Sequence, residues 1–207
     1  MFVKTLYKKM TMTAEIPLER HPFEPFVPTN ATILMLGTFP PKPERWSMPF
    51  YYPNKINDMW RAMGIVFFGD RDRFWDAGAG KFRQKEIEDF LREKGIALYD
   101  TAVTVRRLRD NASDKFLDIV EPLDLVGFFA RCPSIAHVVT TGEKATQVVA
   151  DIAQVPLPRV GESEDCIVAG HRFTLWRMPS TSRAYPLALE RKADAYRRLF
   201  TQTGLLR

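Results

Sequence analysis

Apolar residues along the chain form short continuous runs that alternate with longer segments in which they recur three or four positions apart. The first run, residues 33–36 (Ile-Leu-Met-Leu), is typical of a strand buried on both faces of a parallel sheet. Gly37 ends it, and Pro40 and Pro41 prevent a tight hairpin return. A helical pattern then begins near Asn54, and its apolar positions are Ile56, Met59, Trp60 and Met63.

The rest of the chain repeats this alternation. Strands are predicted at residues 96–99 and 135–140, and a hairpin at 166–178 has residues 173–178 as the last sheet strand. Helices are predicted over 81–94, from Pro122 onward, from Gly142 to about residue 152, and from about residue 189 towards the C-terminus. We therefore expect an α/β fold, a three-layer α/β/α sandwich with a central, mainly parallel four-stranded sheet.

Residues 1–30 have no clear period and are expected to form an N-terminal arm that packs on a domain formed by residues 31–207. His21 lies in a Pro- and Phe-rich part of this arm, and we interpret it as structural because no partner motif surrounds it. Residues 106–115 are expected to form a polar loop rich in basic side chains. The charged residues of the last helix, which include Lys192, are expected on a solvated face.

The composition permits a core and a polyanionic partner. Of the 207 residues 45% are hydrophobic, and the formal net charge is +5 with a pI near 9.3. A basic balance favours a nucleic-acid partner without establishing one, because many basic proteins bind no nucleic acid. Lys4, Lys8 and Lys9 could contact phosphate, although a solvated basic tail is the simpler interpretation.

Several classes are disfavoured. The two cysteines, Cys132 and Cys166, form no CxxC pair and cannot supply four ligands to an iron–sulfur cluster. The three histidines are scattered, so no cofactor or metal is expected, and no GxxxxGK[ST] phosphate loop occurs. No apolar run approaches the roughly 18–20 residues of a membrane helix, and the first residues do not form a signal peptide. We expect a cytoplasmic monomer.

The loop between the first strand and its helix is longer than a connection requires. It carries four aromatic residues before one Asn: Trp46, Phe50, Tyr51, Tyr52 and then Asn57. Ligands of open α/β folds bind at the carboxyl edge of the sheet, which is where this loop begins. The pattern therefore predicts a binding site.

Four segments between residues 37 and 185 carry a family resemblance. GTFPP with FYYPNKINDMW (37–60) resembles the first motif of the uracil-DNA glycosylase superfamily, and most closely that of its hypoxanthine/uracil branch. GIALYDTAVTV and HVVTTGEKA resemble the second and third strands, and MPSTSRAY (178–185) resembles the late Leu-Pro-Ser-Thr-Ser motif. Pro41 stands where the branch has Gly, and Met178 where many members have His.

The resemblance implies a monofunctional DNA glycosylase that flips a deaminated base, uracil or hypoxanthine, out of DNA and hydrolyses its N-glycosidic bond for base-excision repair. Asn57 aligns with the catalytic Asn of the branch and would hold the attacking water. The residues expected to bind the base are Gly37, Thr38, Phe39, Tyr51, Tyr52 and Asp100. The residues expected to bind the DNA backbone are Pro179, Ser180, Thr181, Ser182 and Arg183.

Plainer interpretations of the same residues stay open at this point. Asn57 could be a local hydrogen-bonding residue at a helix start, and Asp100 could cap the next segment or pair with Arg106 or Arg107. Asn111 is a weaker candidate for base contact. Two other functions also fit: a non-catalytic protein of the same fold that binds nucleic acid or nucleotide, and a hydrolase of free deoxynucleosides.

Overall fold

The computed structural model describes residues 16–109 and 114–206. Lys4, Lys8, Lys9 and Asn111 lie outside these ranges. The strands are β1 (Leu18–Arg20), β2 (Ile33–Gly37), β3 (Trp75–Asp76), β4 (Lys81–Phe82), β5 (Ile96–Asp100), β6 (Ala102–Arg107), β7 (Leu117–Pro122), β8 (His137–Thr141), β9 (Ser163–Val168) and β10 (His171–Met178). The helices are α1 (Met59–Phe68), α2 (Gln84–Lys94), α3 (Leu125–Arg131), α4 (Glu143–Ala153) and α5 (Leu189–Gln202), with short 3₁₀ turns at Pro43–Arg45 and Asp114–Phe116.

The central sheet has the strand order β5-β2-β8-β10-β9. Its first four strands are parallel, and β9 pairs antiparallel with β10 through the predicted hairpin. Right-handed crossovers to the left and to the right of β2 place helices on opposite faces, and α1 packs against α5 whereas α4 packs against β8, β9 and β10. The predicted α/β fold is confirmed, with β9 as a fifth strand beyond the expected four.

The apolar runs became the innermost strands because they have no polar face to expose. Every residue of β2 and of β5 is buried, and the two strands lie side by side in parallel register from Ile33 against Ile96 to Gly37 against Asp100. Burial of each Leu or Ile side chain in such a strand stabilises the fold by about 1.5–3 kcal/mol. The register brings Gly37 and Asp100 to the carboxyl edge together.

A second sheet, with the order β1-β6-β7, was not predicted. Residues 106–115 were expected as a polar loop, but Arg106 and Arg107 are the last residues of β6. The Arg107 guanidinium is buried and contacts the Glu19 carboxylate of β1 at 2.9 Å. The expectation was wrong because an arginine paired across strands can be buried, whereas its charge suggested solvent.

Three predicted helix starts were too early. The helix expected near Asn54 begins at Met59, the one expected at Lys81 begins at Gln84, and the one expected at Pro122 begins at Leu125. In the last case Pro122 ends β7, and Asp124 caps the helix by accepting from the Gly127 N–H. Helical spacing of apolar residues extends into neighbouring turns, so it locates helix termini poorly.

Lys192 was expected on a solvated face, but its side chain is fully buried. Its ammonium group donates to Asp58 Oδ2 and to the Ser182 carbonyl oxygen, both at 2.8 Å. The amphipathic pattern could not reveal this, because the partner carboxylate comes from a segment more than a hundred residues earlier. In the part of the chain that the structure describes, no helix is long and apolar enough to cross a membrane.

Candidate active site

A cleft of about 530 Å³ opens at the carboxyl edge of the central sheet. The chain leaves β2 towards β5 on one side and returns to β8 on the other, so β2 is the switch point at which open α/β sheets bind ligands. Three segments wall the cleft: residues 37–41 after β2, residues 51–57 before α1, and residues 180–186 after β10. Asp100, Asp114 and Thr141 complete its lining.

Asp100 lies at the inner end of the cleft, against Gly37. A Cβ on Gly37 would lie 2.5 Å from Asp100 Oδ1, so only glycine permits this approach. The other carboxylate oxygen contacts His21 Nε2 at 3.0 Å, and neither Arg106 nor Arg107 takes the partnership that was considered from the sequence. Burial raises the pKa of Asp100, whereas the hydrogen bonds to His21 and Gly37 act in the opposite direction.

His21 belongs to the segment before β2 and lies behind Asp100, outside the cleft lining. Its ring is enclosed by four aromatic rings: Phe23, Phe39, Tyr51 and Tyr99. The imidazole is 1% exposed, and its Nδ1 lies 2.8 Å from the Phe23 carbonyl oxygen. The sequence interpretation of His21 as lacking a partner was therefore wrong, because the partner is 79 residues away along the chain.

The turn after β2 presents Thr38 and Phe39 to the cleft. The Thr38 hydroxyl donates to Asp114 Oδ2 at 2.9 Å, and the Thr38 carbonyl oxygen accepts from the Ala102 N–H. Within the described ranges, no acceptor is hydrogen-bonded to the N–H groups of Thr38 and Phe39. These two donors can therefore bind a carbonyl oxygen in the cleft.

Tyr51 and Tyr52 have different surroundings. Tyr51 is 2% exposed, and its hydroxyl donates to the Glu24 carbonyl oxygen behind the cleft, so its ring is part of the wall. Tyr52 is partly exposed, with its hydroxyl 3.4 Å from Thr141 Oγ1. Its φ of 50° is a left-handed conformation that costs about 1–2 kcal/mol for a residue with a Cβ. Tyr52 is therefore the better candidate for stacking against a ligand.

Asn57 lines the cleft immediately before α1. Its Oδ1 accepts from the Met59 N–H at 2.9 Å, which fixes the plane of the amide. Asn54, which was considered the better cap for this helix, instead accepts from the Ile56 N–H within the preceding turn. An amide oxygen has two lone pairs, so Asn57 Oδ1 retains one acceptor position after bonding to the helix.

The segment 179–183 is held from below. Asp58 N–H donates to the Thr181 carbonyl oxygen, Asn57 and Ser182 form an isolated β-bridge, and the Arg183 Nε contacts Asp58 Oδ1 at 3.2 Å. Pro179 lies outside the cleft lining, and Thr181 is buried. Ser180, Ser182 and Arg183 are thus the members of this segment that present polar side chains to the cleft.

The structure brings ten of the expected site residues to the same cleft: Gly37, Thr38, Phe39, Tyr52, Asn57, Asp100, Ser180, Thr181, Ser182 and Arg183. Tyr51 contributes to the wall, and Pro179 does not reach the cleft. Asp114 and Thr141 were missed, because each lies at the end of an unremarkable polar stretch. Across the described ranges, no group of three or more His, Cys, Asp or Glu side chains is arranged to hold a metal.

No protein-family model and no curated protein matches the sequence. Among solved structures, the chain is similar to a solution NMR structure of a putative uracil DNA glycosylase from Methanosarcina acetivorans. The similarity covers 88% of this chain and 99% of the other at 21% identity, with a TM-score of 0.59. The two chains share one fold. With the resemblance of the motifs, this makes the uracil-DNA glycosylase reaction the first to test against the cleft.

Proposed function

We propose that the protein is a monofunctional DNA glycosylase that hydrolyses the N-glycosidic bond of a deaminated base, uracil or hypoxanthine, in DNA. One observation carries the proposal: stacking, donor, acceptor and phosphate-binding groups from four separate segments converge on one cleft at the sheet switch point. The fold shared with the Methanosarcina protein supports the same reaction class.

The reaction places positive charge on the sugar and negative charge on the departing base. The N–H groups of Thr38 and Phe39 stabilise the base oxygen on which the negative charge develops, as preorganised donors do in an oxyanion hole. Tyr52 stacks on the flipped base, a contact worth about 1–3 kcal/mol in single-strand binders. Asn57 Oδ1 accepts from the attacking water with its remaining lone pair.

This arrangement favours a dissociative route. An amide is too weak a base to remove a proton early, so water is oriented for attack on a sugar cation that has already formed. Ser180, Ser182 and Arg183 contact phosphates on either side of the flipped nucleotide, which fixes the register of the DNA without reading its sequence. Asp58 holds the Arg183 guanidinium, so this side chain is already oriented before DNA binds.

Single-turnover excision tests the proposal. Labelled oligonucleotides with one uracil, hypoxanthine or xanthine, single- and double-stranded, are incubated with wild type or Asn57→Ala and then treated with hot alkali to cleave abasic sites. We expect cleavage by wild type that is strongly reduced in the variant. Absence of cleavage on every substrate would refute the proposal, and release of free base from deoxynucleosides alone would indicate a nucleoside hydrolase.

A non-catalytic nucleic-acid-binding protein is the second candidate. It is favoured by the Asn57 amide, whose oxygen already bonds to the helix N–H, and by Met178 in the position where many family members carry His. This candidate predicts salt-sensitive binding to DNA without any base release.

A further inference from the structure

The His21–Asp100 pair lies directly behind the cleft and is unexplained by the roles above. The two side chains are 1% and 9% exposed, and the imidazole is fixed by the four aromatic rings around it. A buried carboxyl–imidazole pair of this kind holds a proton whose position determines which oxygen faces a ligand as an acceptor.

The distances locate that proton. His21 Nδ1 lies 2.8 Å from the Phe23 carbonyl oxygen, which can only accept, so Nδ1 carries a hydrogen. Nε2 lies 3.0 Å from Asp100 Oδ2. Two arrangements fit: imidazolium donating to a carboxylate, or a carboxylic acid donating to neutral Nε2. Both place the proton between Nε2 and Oδ2, and both leave Oδ1 with lone pairs alone.

Oδ1 is the oxygen on the cleft side. It lies beside Gly37, whose missing Cβ makes room for it, and the same space is close to the Tyr52 hydroxyl. The N–H donors of Thr38 and Phe39 belong to the adjoining turn. The inner end of the cleft therefore offers an acceptor next to donors, which is complementary to a ring N–H next to a carbonyl oxygen.

We propose that His21 is a positioning residue that keeps Asp100 Oδ1 a hydrogen-bond acceptor, so that the cleft accepts uracil and hypoxanthine and rejects cytosine and adenine. This inference rests on the proposed function. Uracil and hypoxanthine present a ring N–H beside a carbonyl oxygen, whereas cytosine and adenine present a bare ring nitrogen beside an amino group. Thymine and guanine share the accepted edge, so this contact discriminates against cytosine and adenine alone.

Binding to uncleavable DNA tests the inference without requiring catalysis. The probes are single-stranded oligonucleotides with one 2′-fluorinated nucleotide carrying uracil or cytosine, because fluorine at that position slows glycosidic cleavage. Binding is measured by fluorescence anisotropy. A hydrogen bond to a charged or proton-sharing group contributes about 10- to 100-fold in affinity, so we expect wild type to prefer the uracil probe by that factor.

His21→Phe keeps the aromatic packing and removes Nε2, and we expect the preference to fall below about threefold because the released carboxyl is free to turn its proton towards the cleft. His171→Phe is the matched control. The His171 ring also stacks on an aromatic residue, Phe129 at 4.1 Å, and bonds to a backbone oxygen, but it lies at the amino end of β10. A preference that survives in His21→Phe would overturn the inference.

Asp100→Asn tests the same claim with His21 in place and covers the case in which His21→Phe does not fold. Neutral Nε2 accepts from the amide N–H and turns the amide oxygen to the cleft, so the uracil preference should be retained. Its loss in Asp100→Asn, or the absence of any preference in wild type, would overturn the inference. Excision of a cleavable uracil probe, measured in parallel, decides the proposed function separately.

Discussion

Removal of the buried Lys192 ammonium should strongly destabilise the protein. Lys192 is 0% exposed and donates to Asp58 Oδ2 and to the Ser182 carbonyl oxygen, both at 2.8 Å. Lys192→Met keeps most of the aliphatic stem but leaves the Asp58 carboxylate, with 7% of its side chain exposed, without its buried partner. Such a change costs about 3–5 kcal/mol, and the remaining contact with Arg183 places our expectation near 3 kcal/mol.

Urea denaturation followed by circular dichroism measures this loss. For a chain of this size the slope of unfolding free energy against urea is about 3 kcal/mol per molar, so the midpoint should fall by about 1 M. The matched control is Lys85→Met on α2. Its ion pair with Asp89 has the same 2.7–2.8 Å separation, but the two side chains are 87% and 55% exposed. Exposed pairs of this kind contribute about 0.2–1 kcal/mol.

The double variant Asp58→Asn/Lys192→Met separates the lost ion pair from the lost packing. With both charges removed, no unpaired charge remains buried, and the unfolding free energy should return to within about 1 kcal/mol of wild type. If Lys192→Met shifts the urea midpoint no more than Lys85→Met does, the reasoning from burial is refuted. Because Lys192 also holds Ser182, the single variant should weaken DNA binding as well.

The other predictions concern the cleft and the thiols. Asn57→Ala should reduce single-turnover excision far more than DNA affinity, whereas Asn54→Ala, which removes an equivalent local hydrogen bond, should leave the rate nearly unchanged; equal losses of rate and affinity in Asn57→Ala would remove its catalytic role. Ser180→Ala with Ser182→Ala should weaken binding to all sequences alike, as filter-binding curves with unrelated oligonucleotides can measure, and unchanged affinity would reject the phosphate contact. Burial raises the pKa of Cys166 to about 11, so only about one thiol in a thousand is ionised at pH 8, and iodoacetamide should label it after unfolding but not before, as mass spectrometry can check.

The first motif was predictable from the sequence because its signals are local. A continuous apolar run can only be a doubly buried strand or a buried helix segment, and Gly37 with two prolines ends it in either case. The Gly37–Asp100 approach also follows from two strands of equal length in parallel register. By contrast, residues 102–122 gave no alternating pattern, because their strands carry charged residues that are paired across the sheet.

By itself, the sequence determined the α/β class, the parallel strands and the loop that carries Tyr52 and Asn57, since strand and turn preferences act over a few neighbouring residues. Only the tertiary structure decided which polar groups are paired. His21 with Asp100, Lys192 with Asp58 and Thr38 with Asp114 are separated by 79, 134 and 76 positions, respectively. The cost of burying a charge selects such partners, and that cost depends on which side chains meet in space rather than on their order along the chain.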